Sequence, residues 1–101
     1  MNQGDDPAVQ AFRERVTACD ETLLRTINER LETVRELHAY KRERGYPAFD
    51  GSRESWVKEW LAGANEGPLS DEAARAIWSA LIPVLTREAA RLLDEGSASK
   101  L

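Results

Sequence analysis

The first half of this sequence contains a long segment with a helical pattern that nothing interrupts. Asp6 and Pro7 are typical of a helix start, with Asp as the N-cap and Pro at the first helical position. Neither glycine nor proline occurs from Ala8 to Arg44, and Gly45 then suits the left-handed residue that follows many helices. The sequence therefore predicts one helix of about 37 residues, which would be about 55 Å long.

Two shorter helices are predicted in the rest of the chain. One runs from about Ser52 to Gly63, and the other is capped by Ser70 and runs to about Asp94. Apolar residues recur every three or four positions in all three segments, and no stretch shows the strict alternation of a strand. We therefore expect an all-α fold with three helices per chain, and a kink at Pro83 inside the third helix.

Length and composition indicate a single domain with short tails. The chain has 101 residues, of which 42% are hydrophobic and 32% are charged, a composition too apolar for disorder. We interpret it as an N-terminal tail at residues 1–7, a helical domain at 8–94 and a frayed C-terminal tail at 95–101. The single cysteine, Cys19, cannot form an internal disulfide, and the chain lacks the ligands of a Cys/His zinc site.

Composition also limits the partners and the location. No run approaches the roughly 20 apolar residues that span a membrane, and the polar N-terminus does not resemble a secretory signal. We therefore expect a cytoplasmic protein without a membrane partner. The net charge of −4 argues against a nucleic-acid partner, because such a surface needs an excess of lysine and arginine.

The long helix predicts a homodimer. A compact domain of this size has a radius of gyration of about 13 Å, so the helix extends beyond any globule that one chain can form. Two shorter helices cannot cover its apolar stripe, whereas a second copy of the chain can, as a closed symmetric dimer. The stripe contains Phe12, Val16, Cys19, Leu23, Ile27, Leu31, Val34 and Leu37.

Cations interrupt this apolar stripe. The series continues through Arg30 and Lys41, which lie eleven residues apart and therefore within about 20° of the same direction on the helix. Buried cations are costly unless carboxylates or a ligand neutralise them. Arg13 is a third candidate, but it lies about 25 Å from Arg30 along the helix, so the two can meet only across a dimer with antiparallel long helices.

Acidic side chains accompany these cations. On the third helix, an apolar series through Ala73, Ile77, Ala80 or Leu81, and Val84 leads to Glu88. The connection before the second helix adds Asp50, Arg53 and Glu54. Each residue also has a simpler interpretation: Arg30 pairs with Glu29 or Glu32, Lys41 reaches solvent, and Asp50 or Ser52 is only an N-cap. Taken together, the charges describe a pocket for a small polyanion that also carries a hydroxyl group.

The order and spacing of these residues resemble the all-helical bacterial chorismate mutase family from about Phe12 to Ala90. Any one piece of the pattern is weak, but the full set at these spacings is specific. The pieces are Arg13-x6-Asp20-x2-Leu23-Leu24-x5-Arg30-x10-Lys41, then Gly45-Tyr-Pro47-x2-Asp50-x2-Arg53-Glu54, and then Pro68-Leu-Ser-Asp-Glu.

The resemblance implies an intertwined six-helix homodimer with two equivalent active sites. It also implies the Claisen rearrangement of chorismate, a small dianion, to prephenate on the route to phenylalanine and tyrosine, without a metal or cofactor. Arg30 and the partner chain's Arg13 would hold the two substrate carboxylates, because guanidinium groups bind carboxylates bidentately. Lys41 would contact the ether oxygen, where negative charge builds in the transition state.

The remaining roles also follow from the resemblance. Asp50 and Glu54 would surround the ring hydroxyl, Arg53 would help to close and order the site, and Glu88 would face the ether oxygen. The chain departs from the family where a small polar residue often lies one turn earlier, because Val84 occupies that position here. A shift of one residue in the third helix would replace Glu88 by one of its neighbours, Arg87 or Ala89.

Other functions fit the same residues. An ammonium would replace the ring hydroxyl in 4-amino-4-deoxychorismate, a substrate of aromatic antibiotic biosynthesis, and Asp50 with Glu54 would suit it. An isochorismate pyruvate lyase of the same fold agrees less well with this loop. A non-catalytic helical dimerisation module, with salt-bridged charges in the stripe, is the alternative from a different class.

Overall fold

The computed structural model describes residues 2–98, with side chains to residue 95, and every regular element in that range is helical. The prediction of an all-α chain with three helices is therefore confirmed. A short 3-10 turn precedes them inside the segment that was interpreted as a tail. The elements are the 3-10 turn Gln3–Asp5, α1 Pro7–Glu43, α2 Gly51–Ala64 and α3 Asp71–Ala98.

The predicted caps position the helix starts. The Asp6 carboxylate accepts a hydrogen bond from the Ala8 amide at 2.9 Å. The Ser70 hydroxyl accepts one from the Ala73 amide at 3.0 Å. Each bond satisfies an amide that has no partner inside its own helix, which is why these two helices begin where the sequence indicated. Gly45 has a φ of +73° just after α1, as the left-handed stop requires.

The third helix ends later than predicted. It continues to Ala98 instead of stopping near Asp94. Arg91 donates to Glu95 at 2.7 Å, an i,i+4 ion pair that favours continuation of the helix. Residues 99–101 of the predicted tail lie outside the described residues. The helix runs through Pro83, and the kink stays a prediction.

The chain divides into two units, residues 1–33 and 34–101. In the first unit, no described side chain is buried. The apolar stripe of α1 is exposed here, with Phe12 at 61%, Val16 at 60% and Leu23 at 63%. The homodimer stays a prediction, but these apolar side chains have no cover within this unit.

In the second unit, α2 packs on α3 around a small core. The face of α3 that is buried differs from the predicted one. The series through Ile77 and Val84 was expected to point inward, yet these residues are 50% and 45% exposed. The packed face lies one residue further along the helix, because α3 is apolar over a wide arc and its packing against α2 selects part of it. The buried apolar residues are Ala62, Ala74, Ile82, Leu85 and Ala89.

Within residues 2–98, no helix is both long enough and apolar enough to cross a membrane.

Candidate active site

The loop between α1 and α2 folds back onto the end of α1. The Tyr46 amide donates to the Lys41 carbonyl at 2.9 Å, which fixes the start of the reversal that Gly45 permits. The Lys41 ammonium donates to the Ala48 carbonyl at 3.4 Å and is half-buried. The Lys41 side chain therefore lies along the loop, and the interpretation that it only reaches solvent is wrong.

Asp50 ends this loop and is the N-cap of α2. Its carboxylate accepts from the Ser52 amide at 3.0 Å, so the structural role foreseen for it is real. The hydrogen bond from the Ser52 hydroxyl is the main reason that the pKa of Asp50 is lowered, and backbone amides and the charge of Lys41 lower it further. The loop thus places an ionised carboxylate within the electrostatic influence of Lys41.

Glu54 lies one turn into α2 and is half-buried. The Thr86 hydroxyl of α3 donates to its carboxylate at 2.7 Å. This hydrogen bond fixes the acid between two helices. Sequence reasoning missed Thr86, because it looked for a small polar residue at position 84 and found Val84. No local pattern in the sequence signals this contact, because it joins residues that are 32 positions apart.

Arg53 directly precedes Glu54 in the first turn of α2, and its side chain lies against an aromatic ring. Its guanidinium carbon is 4.3 Å from the centre of the Trp56 ring, a cation–π distance. Trp56 in turn stacks on Trp60 with 5.7 Å between ring centres. Both tryptophans are about half exposed. Arg53 is thus held at the surface of α2, and its role in closing a site stays a prediction.

Glu88 forms an ion pair with Arg91 on the next turn of α3. Two guanidinium nitrogens donate to its two carboxylate oxygens at 3.1 and 3.2 Å. These hydrogen bonds and the charge of Arg91 lower the pKa of Glu88, and Arg87 adds to the effect. The ion pair with Arg91 thus favours the ionised form of Glu88.

Arg13 and Arg30 both belong to the first unit, residues 1–33. Arg30 is half-buried and Arg13 is exposed. Among the described residues, neither guanidinium forms an ion pair, so the pairing of Arg30 with Glu29 or Glu32 is not seen. Both side chains are available for an anionic ligand.

The described residues contain no group of three or more His, Cys, Asp or Glu side chains that could hold a metal ion. Lys41, Asp50 and Glu54 place one ammonium and two carboxylates on or beside one loop of the second unit. Such a set can bind a polar ring substituent and stabilise a developing negative charge.

The chain is similar to proteins of known structure. The profile of the family described as chorismate mutase type II matches residues 12–89. A structure of chorismate mutase (form II) from Thermus thermophilus is 28% identical, with a TM-score of 0.73 over 83% of this chain and 96% of that chain. A structure of form I from the same organism is 29% identical, with a TM-score of 0.70 over 77% of this chain and 98% of that one. No curated protein sequence matches the chain.

Proposed function

Because the chain belongs to the chorismate mutase type II family, we propose that it converts chorismate to prephenate. The observation that carries this proposal is the extent of the family match. It covers residues 12–89, which include all seven residues that the sequence pattern assigned to the site. They are Arg13, Arg30, Lys41, Asp50, Arg53, Glu54 and Glu88.

The reaction makes limited demands on the protein. In this rearrangement the ether C–O bond breaks while a C–C bond forms in the same molecule, so neither a nucleophile nor a cofactor is required. The enzyme has to hold the substrate in its compact conformer and stabilise charge as the C–O bond breaks. Arg30, together with Arg13 of a second copy, would hold the two carboxylates through bidentate hydrogen bonds.

Lys41 would supply the main stabilisation of the ether oxygen. Its ammonium is already oriented by the Ala48 carbonyl, so little reorganisation is needed when charge develops. Glu88 contributes there only when it is protonated, because an ionised carboxylate would repel the charge. Since Arg91 favours the ionised form of Glu88 by lowering its pKa, Lys41 carries the larger share near neutral pH.

Asp50 and Glu54 would bind the ring hydroxyl as acceptors. The pKa of Asp50 is lowered, so its carboxylate is ionised at neutral pH and can accept the hydroxyl proton in a hydrogen bond. Glu54 is oriented by Thr86 for the same purpose.

A homodimer would complete each site. The support for it is the exposed apolar stripe of the first unit, which includes Phe12, Val16 and Leu23 at 60% or more. Apolar area of this extent on a helix is typical of a surface that another protein chain covers. Arg13 would then act on the site of the partner chain.

The second candidate substrate is 4-amino-4-deoxychorismate. The carboxylates of Asp50 and Glu54 suit it, because an ionised carboxylate pairs with an ammonium more strongly than with a hydroxyl. In both cases the enzyme is an isomerase with the same bond changes.

Rates measured with chorismate and its 4-amino analogue side by side test the proposal. We expect saturable conversion of chorismate to prephenate, with a smaller kcat/KM for the amine. The reverse order would assign the amine as the substrate. Asp50→Asn sharpens the result, since it should reduce the rate with the amine more than the rate with chorismate. No conversion of either substrate by the folded dimer would favour the non-catalytic module.

A further inference from the structure

His38 is a buried group that the proposed mechanism does not use. Of the side chains described, at residues 2–95, it is the only polar one that is buried, at 5% exposure. It lies in the last part of α1, and its ring meets the edge of Phe49 with 4.9 Å between ring centres and 74° between planes. A ring–ring contact of this geometry is favourable beyond the area it buries.

The ring also contacts the loop backbone next to Phe49. The Ala48 carbonyl favours a proton on the His38 ring and so raises its pKa, which places this carbonyl beside the ring. The same carbonyl accepts from the Lys41 ammonium at 3.4 Å. His38 therefore contacts residues 48 and 49, which immediately precede Asp50. Lys41 contacts the same Ala48 carbonyl.

We propose that His38 is a positioning residue, which holds the loop at Ala48 and Phe49 so that Lys41 and Asp50 have their working positions. This inference rests on the proposed function for its effect on catalysis, but the loop contact itself does not. His38 does not touch the substrate in this proposal. It acts through the backbone carbonyl that orients Lys41 and through the residue that precedes Asp50.

The surroundings of His38 favour its neutral form. Burial lowers the pKa of His38, and the charges of Lys41 and Arg42 lower it further, while the Ala48 carbonyl opposes them. Arg35 and Arg42 line the same cleft from α1. The facing residues of α3 in that cleft are uncharged, as are Ala48 and Phe49 in the loop. These α3 residues are Ala89, Leu92 and Leu93.

Protonation of His38 would therefore add a second cation beside Lys41. The folded protein binds this proton less readily than the unfolded chain does. Stability and loop order should be complete above pH 6.5, the ordinary pKa of histidine, and should decline as the pH falls below it.

Two substitutions separate the polar contact of His38 with the Ala48 carbonyl from the packing of its ring on Phe49. His38→Phe keeps an aromatic ring but removes the donor, and we expect kcat/KM to fall about tenfold, with the larger part in kcat. His38→Gln keeps a donor in a similar place and should restore activity to within about threefold of the unchanged protein. Glu36→Gln, at an exposed position of the same helix, is the control and should change neither parameter.

Hydrogen exchange provides a readout that does not depend on activity. In His38→Phe, the amides of residues 45, 46 and 48–50 should exchange faster, while those of α2 and α3 stay unchanged. If the protein converts neither substrate, the proposed function fails, and exchange still decides the loop contact. Equal exchange in the unchanged protein and in His38→Phe would overturn the inference.

The pH profile distinguishes positioning from a general structural role. The decline of kcat/KM below pH 6.5 should be present in Glu36→Gln and should weaken in His38→Gln, because the glutamine does not titrate. If His38→Phe does not fold, Phe49→Leu removes the same ring contact by changing the exposed partner. It should speed up hydrogen exchange of the same amides. A profile unchanged in His38→Gln, or a Phe49→Leu variant with normal exchange, would contradict the role of His38.

Discussion

Residues 2–33 and residues 34–98 both contain large apolar side chains, but only the second region buries any side chain. In the second region, α2 and α3 pack on each other and the loop between α1 and α2 is fixed by hydrogen bonds. In the first region, Phe12, Val16, Leu23 and Leu24 are all at least 60% exposed. The second region orders Lys41, Asp50 and Glu54 through its own contacts, whereas the apolar stripe of the first has no cover within its own unit.

The strongest way to test this difference is to place a charge in the exposed stripe. Leu23→Glu should abolish the dimer and most of the cooperative unfolding transition, because an unpaired carboxylate in an interface costs several kcal/mol. Sedimentation and thermal unfolding measure both effects. On a monomer, the same substitution at a 63% exposed position would change stability by less than about 0.5 kcal/mol.

Arg25→Glu is the matched control for this experiment. It introduces the same residue on the opposite, charged side of the helix, two residues away in sequence. We expect a dimer of normal stability. A folded and active monomer in the unchanged protein would contradict both the dimer and the shared site.

The next largest effect concerns the two arginines of the first region. Arg13→Ala and Arg30→Ala should each lose nearly all activity, because each removes a bidentate partner of a substrate carboxylate. If the two residues serve a site from opposite chains, half of a randomly refolded mixture is heterodimer with one intact site. Activity should then return to about a quarter of normal. Heterodimers without any recovery would place both arginines in the site of one chain.

The contrast between the regions also explains what the sequence could predict. Helix starts depend on a few neighbouring atoms, so Asp6 and Ser70 were assigned correctly from composition and spacing alone. The face of α3 that packs within one chain differs from the expected one, since Ile77 and Val84 are exposed there. α3 is apolar over a wide arc, and periodicity does not determine which part of the arc α2 covers.

Contacts between residues that are far apart in the sequence were the second feature that the sequence did not predict. Thr86 and Glu54 are 32 residues apart, and no local pattern indicates that their side chains meet. The ion pair of Glu88 with Arg91, in contrast, spans three residues on one helix and was accessible to sequence reasoning. The seven residues of the candidate site come from spacing and resemblance, whereas the hydroxyl group that orients Glu54 was found only in the structure.

In the second region, Lys41→Ala should reduce kcat about a hundredfold and change KM by less than about threefold. The reason is that Lys41 faces a charge that exists mainly in the transition state. Arg44→Ala is the control for net charge, because Arg44 lies over the Tyr40 ring at 4.1 Å and is not assigned to the site. A raised KM with an unchanged kcat would make Lys41 an anchor for the substrate carboxylate instead.

Among these substitutions, we expect Glu88→Gln to change activity least, and to raise it. Only the protonated acid can donate to the ether oxygen, and Arg91 lowers the pKa of Glu88, so the donor form is scarce at neutral pH. Activity should fall as the pH rises through that pKa. Glu88→Gln keeps a donor at every pH, and should flatten this fall and raise kcat near neutrality by about twofold to fivefold.

Two further substitutions distinguish the role of Glu88 as a hydrogen-bond donor from its ion pair with Arg91. Glu95→Gln removes the other acid that Arg91 contacts, at 2.7 Å, and should leave the pH profile unchanged because Glu95 is not assigned to the site. Arg91→Gln removes the group that holds the pKa of Glu88 down, so the fall in activity should move to higher pH. An unchanged profile in both Glu88→Gln and Arg91→Gln would show that Glu88 does not face the ether oxygen. Loss of activity at every pH in Glu88→Gln would show that the charge itself is required, as a cationic substrate group would demand.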